Sequence, residues 1–178
     1  MVVARDLLGC VLVSRRRGVT TAGAIVETEA YLGPEDAASH AAFRPGSHGL
    51  FYGDGGFAYV YLIYGMHACL NAIAEPPGRP GCVLVRAAAP LVGVAAMARR
   101  RGVSADDRRL ASGPGNLTRA FGITVADSGA DLTGDTLAIE PPPSRRRFEI
   151  ARGPRIGITR DVVRPLRFWI ADHPAVSR

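Results

Sequence analysis

From Gly23 to Tyr31 the chain reads GAIVETEAY, and its period of two is that of a β-strand. The alternation predicts Val26, Thr28 and Ala30 on one face and Ile25, Glu27, Glu29 and Tyr31 on the other. Two carboxylates and a phenol then lie on the same side of one strand, neighbours about 7 Å apart. A face that only meets water would more usually carry Lys, Thr or Ser. A Gly33-Pro34 turn and an acidic helix start follow, ending near His40. Carboxylate, phenol and imidazole can therefore meet at the end of one strand, the composition of an active site.

The flanking segments fit a mixed architecture. Ala4 to Arg15 reads as a helix end broken at Gly9, then a strand through Val11 and Val13 that pairs with Thr21–Tyr31 as a hairpin. Residues 32–56 are Gly- and Pro-rich, and a loop this long in a compact domain is functional or mobile. Phe57 to Ala74 (FAYVYLIYGMHACLNAIA) alternates on both sides of Gly65 and predicts a hairpin with Tyr64, Met66 and His67 at its tip. Tyr59 is expected in the core. Tyr64, beside the turn glycine, is read as a wedge or stacking residue, because an exposed Tyr and Met need a reason. In the buried run from Cys82 to Ala87, Arg86 is the one charge and should face a carboxylate or a substrate. Pro90 to Arg101 reads as a helix with Leu91, Val94, Ala95 and Ala98 inward. Ser112–Asn116 opens a short helix closed by Gly122; its free amides could hold a phosphate, but a plain Ser-Gly-Pro cap is the favoured explanation. Leu137–Ile139, Arg155–Thr159 and Arg167–Ala171 read as strands, the last with Trp169 in the core. Locally paired strands with interspersed helices predict a single α+β domain around an antiparallel sheet.

Composition limits the function. The 178 residues hold 47% apolar and 21% charged side chains, as in globular proteins. No apolar run reaches the roughly 20 residues that span a bilayer, so no membrane role is expected. Three cysteines without a Cys-x-x-Cys pair fit a reduced, cytoplasmic setting. The net charge is +6, and all 22 basic residues are arginine. Runs at Arg15–Arg17, Arg99–Arg101, Arg108–Arg109 and Arg145–Arg147 suit a polyanionic partner, though a compositional bias accounts for them as well. With no lysine, a lysine Schiff base is excluded, leaving only the α-amine for such chemistry. His40, His48, His67 and Cys69 fit no common zinc spacing, and no metal or cofactor is expected.

The strings ETEAYLGPEDAASH, YVYLIYGMHACLN, CVLVRA, SGPGNLTRAFGI and RIGITR…PLRFWI, in that order, resemble the 3-methyladenine DNA glycosylase family of alkyladenine (methylpurine) type. The resemblance runs from about Ala4 to Ser177. It implies a curved antiparallel sheet surrounded by helices, with a protruding hairpin that enters the DNA minor groove. By the same resemblance Glu29 is the base that activates water, and Arg86 and the Ile156 carbonyl hold that water. Tyr64, with Met66 and His67 beside it, fills the gap left by a flipped nucleotide. Tyr31 and Tyr61 sandwich the extruded base, His40 contacts it or the sugar-phosphate, and Asn71 lines the pocket. The implied partner is duplex DNA carrying damaged purines, bound by a monomer near the nucleoid. Two departures stand out: Phe43-Arg44-Pro45-Gly46-Ser47-His48 replaces a Thr-Pro-Arg-Asn-like element, and Asn116 stands where lysine is common.

The expected reaction is hydrolysis of the N-glycosidic bond of alkylated or deaminated purines, without lyase activity. Two rivals are weighed against it. A carbohydrate glycosidase would use Glu27 and Glu29 as an acid/base pair, but adjacent same-face carboxylates point in parallel and not across a sugar. A basic nucleic-acid-binding module would leave Glu29 structural. Glu27 reads either as a second carboxylate in the mechanism or as the partner of an arginine.

Overall fold

The computed structural model describes residues 1–44, 48–144 and 147–177. One eight-stranded sheet organises them. In chain order the elements are α1 (Val2–Asp6), β1 (Val11–Arg16), β2 (Val19–Tyr31), α2 (His40–Phe43), α3 (His48–Phe51), β3 (Ala58–Ile63), β4 (His67–Ile73), β5 (Cys82–Val92), α4 (Val94–Arg101), α5 (Pro114–Phe121), β6 (Leu137–Glu140), β7 (Ile150–Gly153) and β8 (Arg167–Ile170). All strand pairs are antiparallel, in the order β3-β4-β5-β2-β1-β6, and β8 joins β2 to β7. The α+β reading and the curled antiparallel sheet are thus as expected.

β2 is the spine. One edge pairs with β5 along nearly its whole length. The other is shared, with β1 against Val19–Ala24 and β8 against Glu27–Glu29. Where the partner changes, β2 bulges: its register against β5 shifts between Ile25 and Glu27 and again before Thr28. A bulge puts an extra residue on one strand and re-aims its side chains. Ile25 consequently packs in the main core with Ala30, on the face opposite Glu27, while Val26 joins a separate cluster with Ala87 and Ala175. The strict alternation expected before Glu27 is broken there, and it holds from Glu27 to Tyr31.

The main core fills one side of the sheet with Leu8, Leu12, Ile25, Leu70, Met97, Leu117 and Phe121, all essentially inaccessible. Gly23 makes this packing possible, since a Cβ there would lie 2.8 Å from the Ala89 carbonyl oxygen and 3.1 Å from the Phe121 ring.

Several local expectations are corrected. Pro90–Val92 continue β5, because Pro90 pairs with Gly23 at a register shift where its missing N–H is tolerated. α4 therefore begins only after Gly93, at φ +73°. Leu91 and Ala95 are exposed and Met97 faces inward. No helix precedes His40: Asp36 is drawn into the interior, and α2 starts at His40 with Ser39 accepting from the Ala41 N–H. Arg155–Thr159 is not a strand. Gly157 sits at φ +77°, the Ile156 N–H serves a carboxylate, and the pairing strand is β7. Trp169 is only partly buried, capped by the Arg167 guanidinium 4.4 Å from its ring, and Phe168 takes the core position. Two of the four arginine runs are structurally engaged, as is Arg119. Arg15 and Arg16 bond Glu140 and Asp127. Arg100, Arg101 and Arg119 donate to backbone carbonyls of Ala120, Leu110 and Arg100. Arg145 and Arg146 lie outside the described residues.

Candidate active site

A cleft of about 880 Å³ opens beside the C-terminal end of β2. Its walls come from Tyr31, from His40 and Arg44 in and after α2, and from Tyr61 to Tyr64 and His67 of the β3–β4 hairpin. Arg86, the start of α5 (Gly113–Asn116) and residues 156–160 complete it. Glu29 is fully inaccessible and lies just under this surface, its contacts being three groups that line the cleft. The Tyr31 hydroxyl donates to Glu29 Oε2 at 2.9 Å, the Ile156 N–H donates to Oε1 at 2.8 Å, and Arg86 Nη1 stands 3.4 Å from Oε1. Arg86 Nη1 also donates to the Ile156 carbonyl at 3.4 Å. Glu29, Arg86 and Ile156, expected around one water, are thus joined in one group, which also includes Tyr31, expected as a wall of the base pocket.

Burial raises the Glu29 carboxyl above the ordinary carboxylate range; Arg86 and the Ile156 and Tyr31 donors pull against that, and nearby Glu27 adds to it. A carboxylate kept basic but still hydrogen-bonded is suited to taking a proton.

Glu27, on the same face, has a different task. Its Oε1 accepts from Arg167 Nε at 2.6 Å and lies 3.3 Å from Arg86 Nε, and its Oε2 accepts from the Ser177 N–H at 2.7 Å. Both oxygens are occupied, so Glu27 is an arginine partner, one of the two roles open from the sequence.

His40, Tyr31 and Tyr61 line the cleft, and His40 packs against Tyr59 and Tyr61. The His40 ring is 4.3 Å from Tyr61 between centroids, and its Nδ1 is 2.8 Å from the Tyr59 hydroxyl. Burial, and then the Arg44 charge, push the His40 imidazole down to about 4, so it is neutral at physiological pH. Burial raises the Tyr31 and Tyr61 hydroxyls well above the usual range, which keeps both protonated. Asn71 sits apart from the main cleft. It is 1% exposed, gives its amide hydrogens to the Tyr59 and Cys69 carbonyls, and borders a cavity of about 10 Å³ behind His40 and Tyr61.

The hairpin tip is exposed as expected. Tyr64 and Met66 are 79% and 73% accessible. Tyr64 at φ +52° and Gly65 at φ +67° occupy the two central positions of the turn, closed by the Met66 N–H to the Ile63 carbonyl at 3.2 Å. Positive φ at both positions is the type I′ signature of tight hairpins, and it is strained for tyrosine. Tyr64 and His67 border the cleft, whereas Met66 does not. Gly115 of α5 lets the hairpin approach: a Cβ there would lie 3.1 Å from the His67 side chain.

Sequence reasoning missed the second tier of the site. Arg155 is buried, bonds Asp36 through both terminal nitrogens at 2.6 and 2.8 Å, and lies 4.6 Å from the Tyr31 ring. Asp36 also accepts from the Leu32 and Ala38 N–H groups, tying the loop before His40 to the floor. Asp36 stands in the quoted acidic string, but nothing local pairs it with a residue 119 positions away. Among the described residues Cys10, Cys69 and Cys82 form no disulfide. Among the described residues no three His, Cys, Asp or Glu cluster as metal ligands, and no helix is long and apolar enough to cross a membrane.

The site thus combines a curled antiparallel sheet, an exposed hairpin tip bearing Tyr64, and a buried Glu29–Arg86 pair beneath an open cleft. Residues 1–174 match the family model described as methylpurine-DNA glycosylase (MPG). Three relatives share the name "Putative 3-methyladenine DNA glycosylase". That of Methanoculleus marisnigri is 44% identical, covering 99% of this chain and 92% of its own. That of Rubrobacter xylanophilus is 48% identical, covering 93% and 85%. That of Bacillus cereus is 42% identical, covering 99% and 93%. The chain belongs to the methylpurine-DNA glycosylase family, a class of DNA repair hydrolases acting on N-glycosyl bonds.

Proposed function

We propose that this protein excises alkylated or deaminated purines from duplex DNA by hydrolysis, with Glu29 as the base that activates water. Carrying this reading is the Glu29 carboxylate, gripped by Tyr31, Ile156 and Arg86 at the floor of a cleft whose rim bears Tyr64. Extracting a purine from the stack costs a few kcal/mol. Stacking returns ~1–3 kcal/mol per base, supplied by Tyr64 in the vacated gap and by Tyr31 and Tyr61 around the base. An N-alkylated purine is cationic, so the aromatic faces attract it further and it departs readily. Neutral His40 contacts the base or the adjoining sugar-phosphate, and Asn71 shapes the pocket from behind, through Tyr59 and the His40 wall.

The attacking water is held by the Ile156 carbonyl and Arg86 and gives its proton to Glu29. The same carboxylate stabilises the electron-poor sugar as the glycosidic bond breaks. No lysine is available for an imine, which argues for an abasic site as product and against lyase chemistry. The protein acts as a monomer on DNA in the cytoplasm, at the nucleoid.

Glu29→Gln tests the reading. The variant is expected to bind a hypoxanthine- or ethenoadenine-containing duplex with wild-type affinity and to release no base in single turnover. Unchanged release would remove Glu29 from the mechanism. A wild type inert on 3-methyladenine, 7-methylguanine, hypoxanthine and ethenoadenine duplexes alike would favour a binding module.

A further inference from the structure

Arg86 is held more firmly from behind than from the site it serves. Its contacts with Glu29 Oε1 and the Ile156 carbonyl are both 3.4 Å. Its Nε donates to Ser177 Oγ at 3.0 Å. Ser177 commits all its polar groups to one network: its N–H to Glu27 Oε2 at 2.7 Å, its carbonyl to Arg167 Nη2 at 3.0 Å, and its hydroxyl to Arg86. Glu27 bridges Arg167 and Arg86 on the same side. The tail carrying Ser177 is anchored by Ala175, which packs with Val26 and Ala87. Since a guanidinium is planar and rigid, fixing its Nε edge fixes where Nη1 stands.

We infer that Ser177 is a positioning residue for the reaction: with Glu27 and Arg167 it clamps Arg86 so that Nη1 faces Glu29 and the Ile156 carbonyl. This rests on the glycosylase reading above. Around Glu29 the relevant groups are Arg86 of β5, Glu27 and Tyr31 of β2, Cys69 of β4 and the Ile156 N–H. Arg86 is the cation among them that favours the carboxylate form. A loosened Arg86 withdraws that support, so Glu29 protonates at higher pH.

Ser177→Ala and Ser177→Thr in the full chain test the clamp by single-turnover release from a hypoxanthine duplex across pH, with the duplex Kd measured alongside. Ser177→Ala is expected to slow release about tenfold at unchanged Kd and to move the acid-side fall in rate to higher pH, and Ser177→Thr to restore both. Wild-type rate and pH profile in Ser177→Ala would overturn the clamp. So would a slower rate with an unmoved profile and no rescue by threonine, which is the signature of a merely structural role. Were the wild type to release no base, the glycosylase reading would fall, and hydrogen exchange at the Arg86 Nε–H by NMR would decide: faster exchange in Ser177→Ala keeps the clamp, equal exchange overturns it.

Discussion

The floor of the cleft and its rim are built on opposite terms. At the floor, Glu27, Glu29 and Arg86 are at most 8% exposed, and each has several partners from distant segments. At the rim, Tyr64 and Met66 lie almost wholly in solvent, held by one tight turn with a strained tyrosine. Charges that move protons need a dry, fixed frame, because an unpaired buried charge is costly. On the proposed reading, the side chain that enters the base stack has to be free before it binds. Substitutions at the floor should therefore disturb chemistry or folding, and those at the rim should disturb capture alone.

Glu29→Gln gives the largest effect on that view: base release falls by on the order of 10³-fold or more, or ~4 kcal/mol in the barrier, with duplex affinity kept. Arg86→Met comes next and reads out as stability. It leaves the buried Glu29 carboxylate without its cation, while Glu27 keeps Arg167, at a cost of ~3–5 kcal/mol, and denaturant unfolding should show the loss. A wild-type midpoint would mean that the floor is far wetter than its geometry implies. Tyr64→Ala is the counterpart: unfolding unchanged within about 0.5 kcal/mol, but lesion-duplex affinity weaker by ~1–3 kcal/mol while undamaged DNA is bound nearly as before. Equal weakening for both duplexes would refute the wedge role.

The smallest effects are in pH. Glu29 must be ionised to accept a proton, and its pKa is raised, so the rate should decline as pH falls through a point above the ordinary carboxylate range. His40 carries the opposite shift. Folding holds its pKa at about 4 against ~6.5 when unfolded, so the unfolded chain binds the extra proton and stability declines as pH falls across that window. NMR of the His40 ring should show no titration near pH 6.5; a midpoint there would place the ring in water, on the terms of the rim.

Much of this site is legible in local pattern. The period of two from Glu27 to Tyr31 puts both carboxylates on one face, the lone charge in Cys82–Ala87 marks Arg86 as a paired residue, and Gly65 marks the hairpin tip. The pattern failed where a longer-range contact outweighed it. Ile25 changed faces because β2 changes partner from β1 to β8 and bulges. Asp36 left its expected helix start because Arg155 offers it two hydrogen bonds in the interior. Residues 155–159 gave up strand pairing because the Ile156 amide is committed to Glu29.

By itself the sequence determined which residue types share a strand face, where the tip turns, and that lysine chemistry is absent, since those depend on spacing and composition alone. Only the tertiary structure decided which donors each of the two same-face glutamates meets. Glu27 meets Arg167 and the Ser177 amide, which fill both its oxygens, whereas Glu29 meets Tyr31, Ile156 and the far edge of Arg86 under an open cleft. The physical reason is that a carboxylate's role is set by the donors around it, and here those donors arrive from segments 57 to 150 residues away along the chain, with Tyr31 the one local exception.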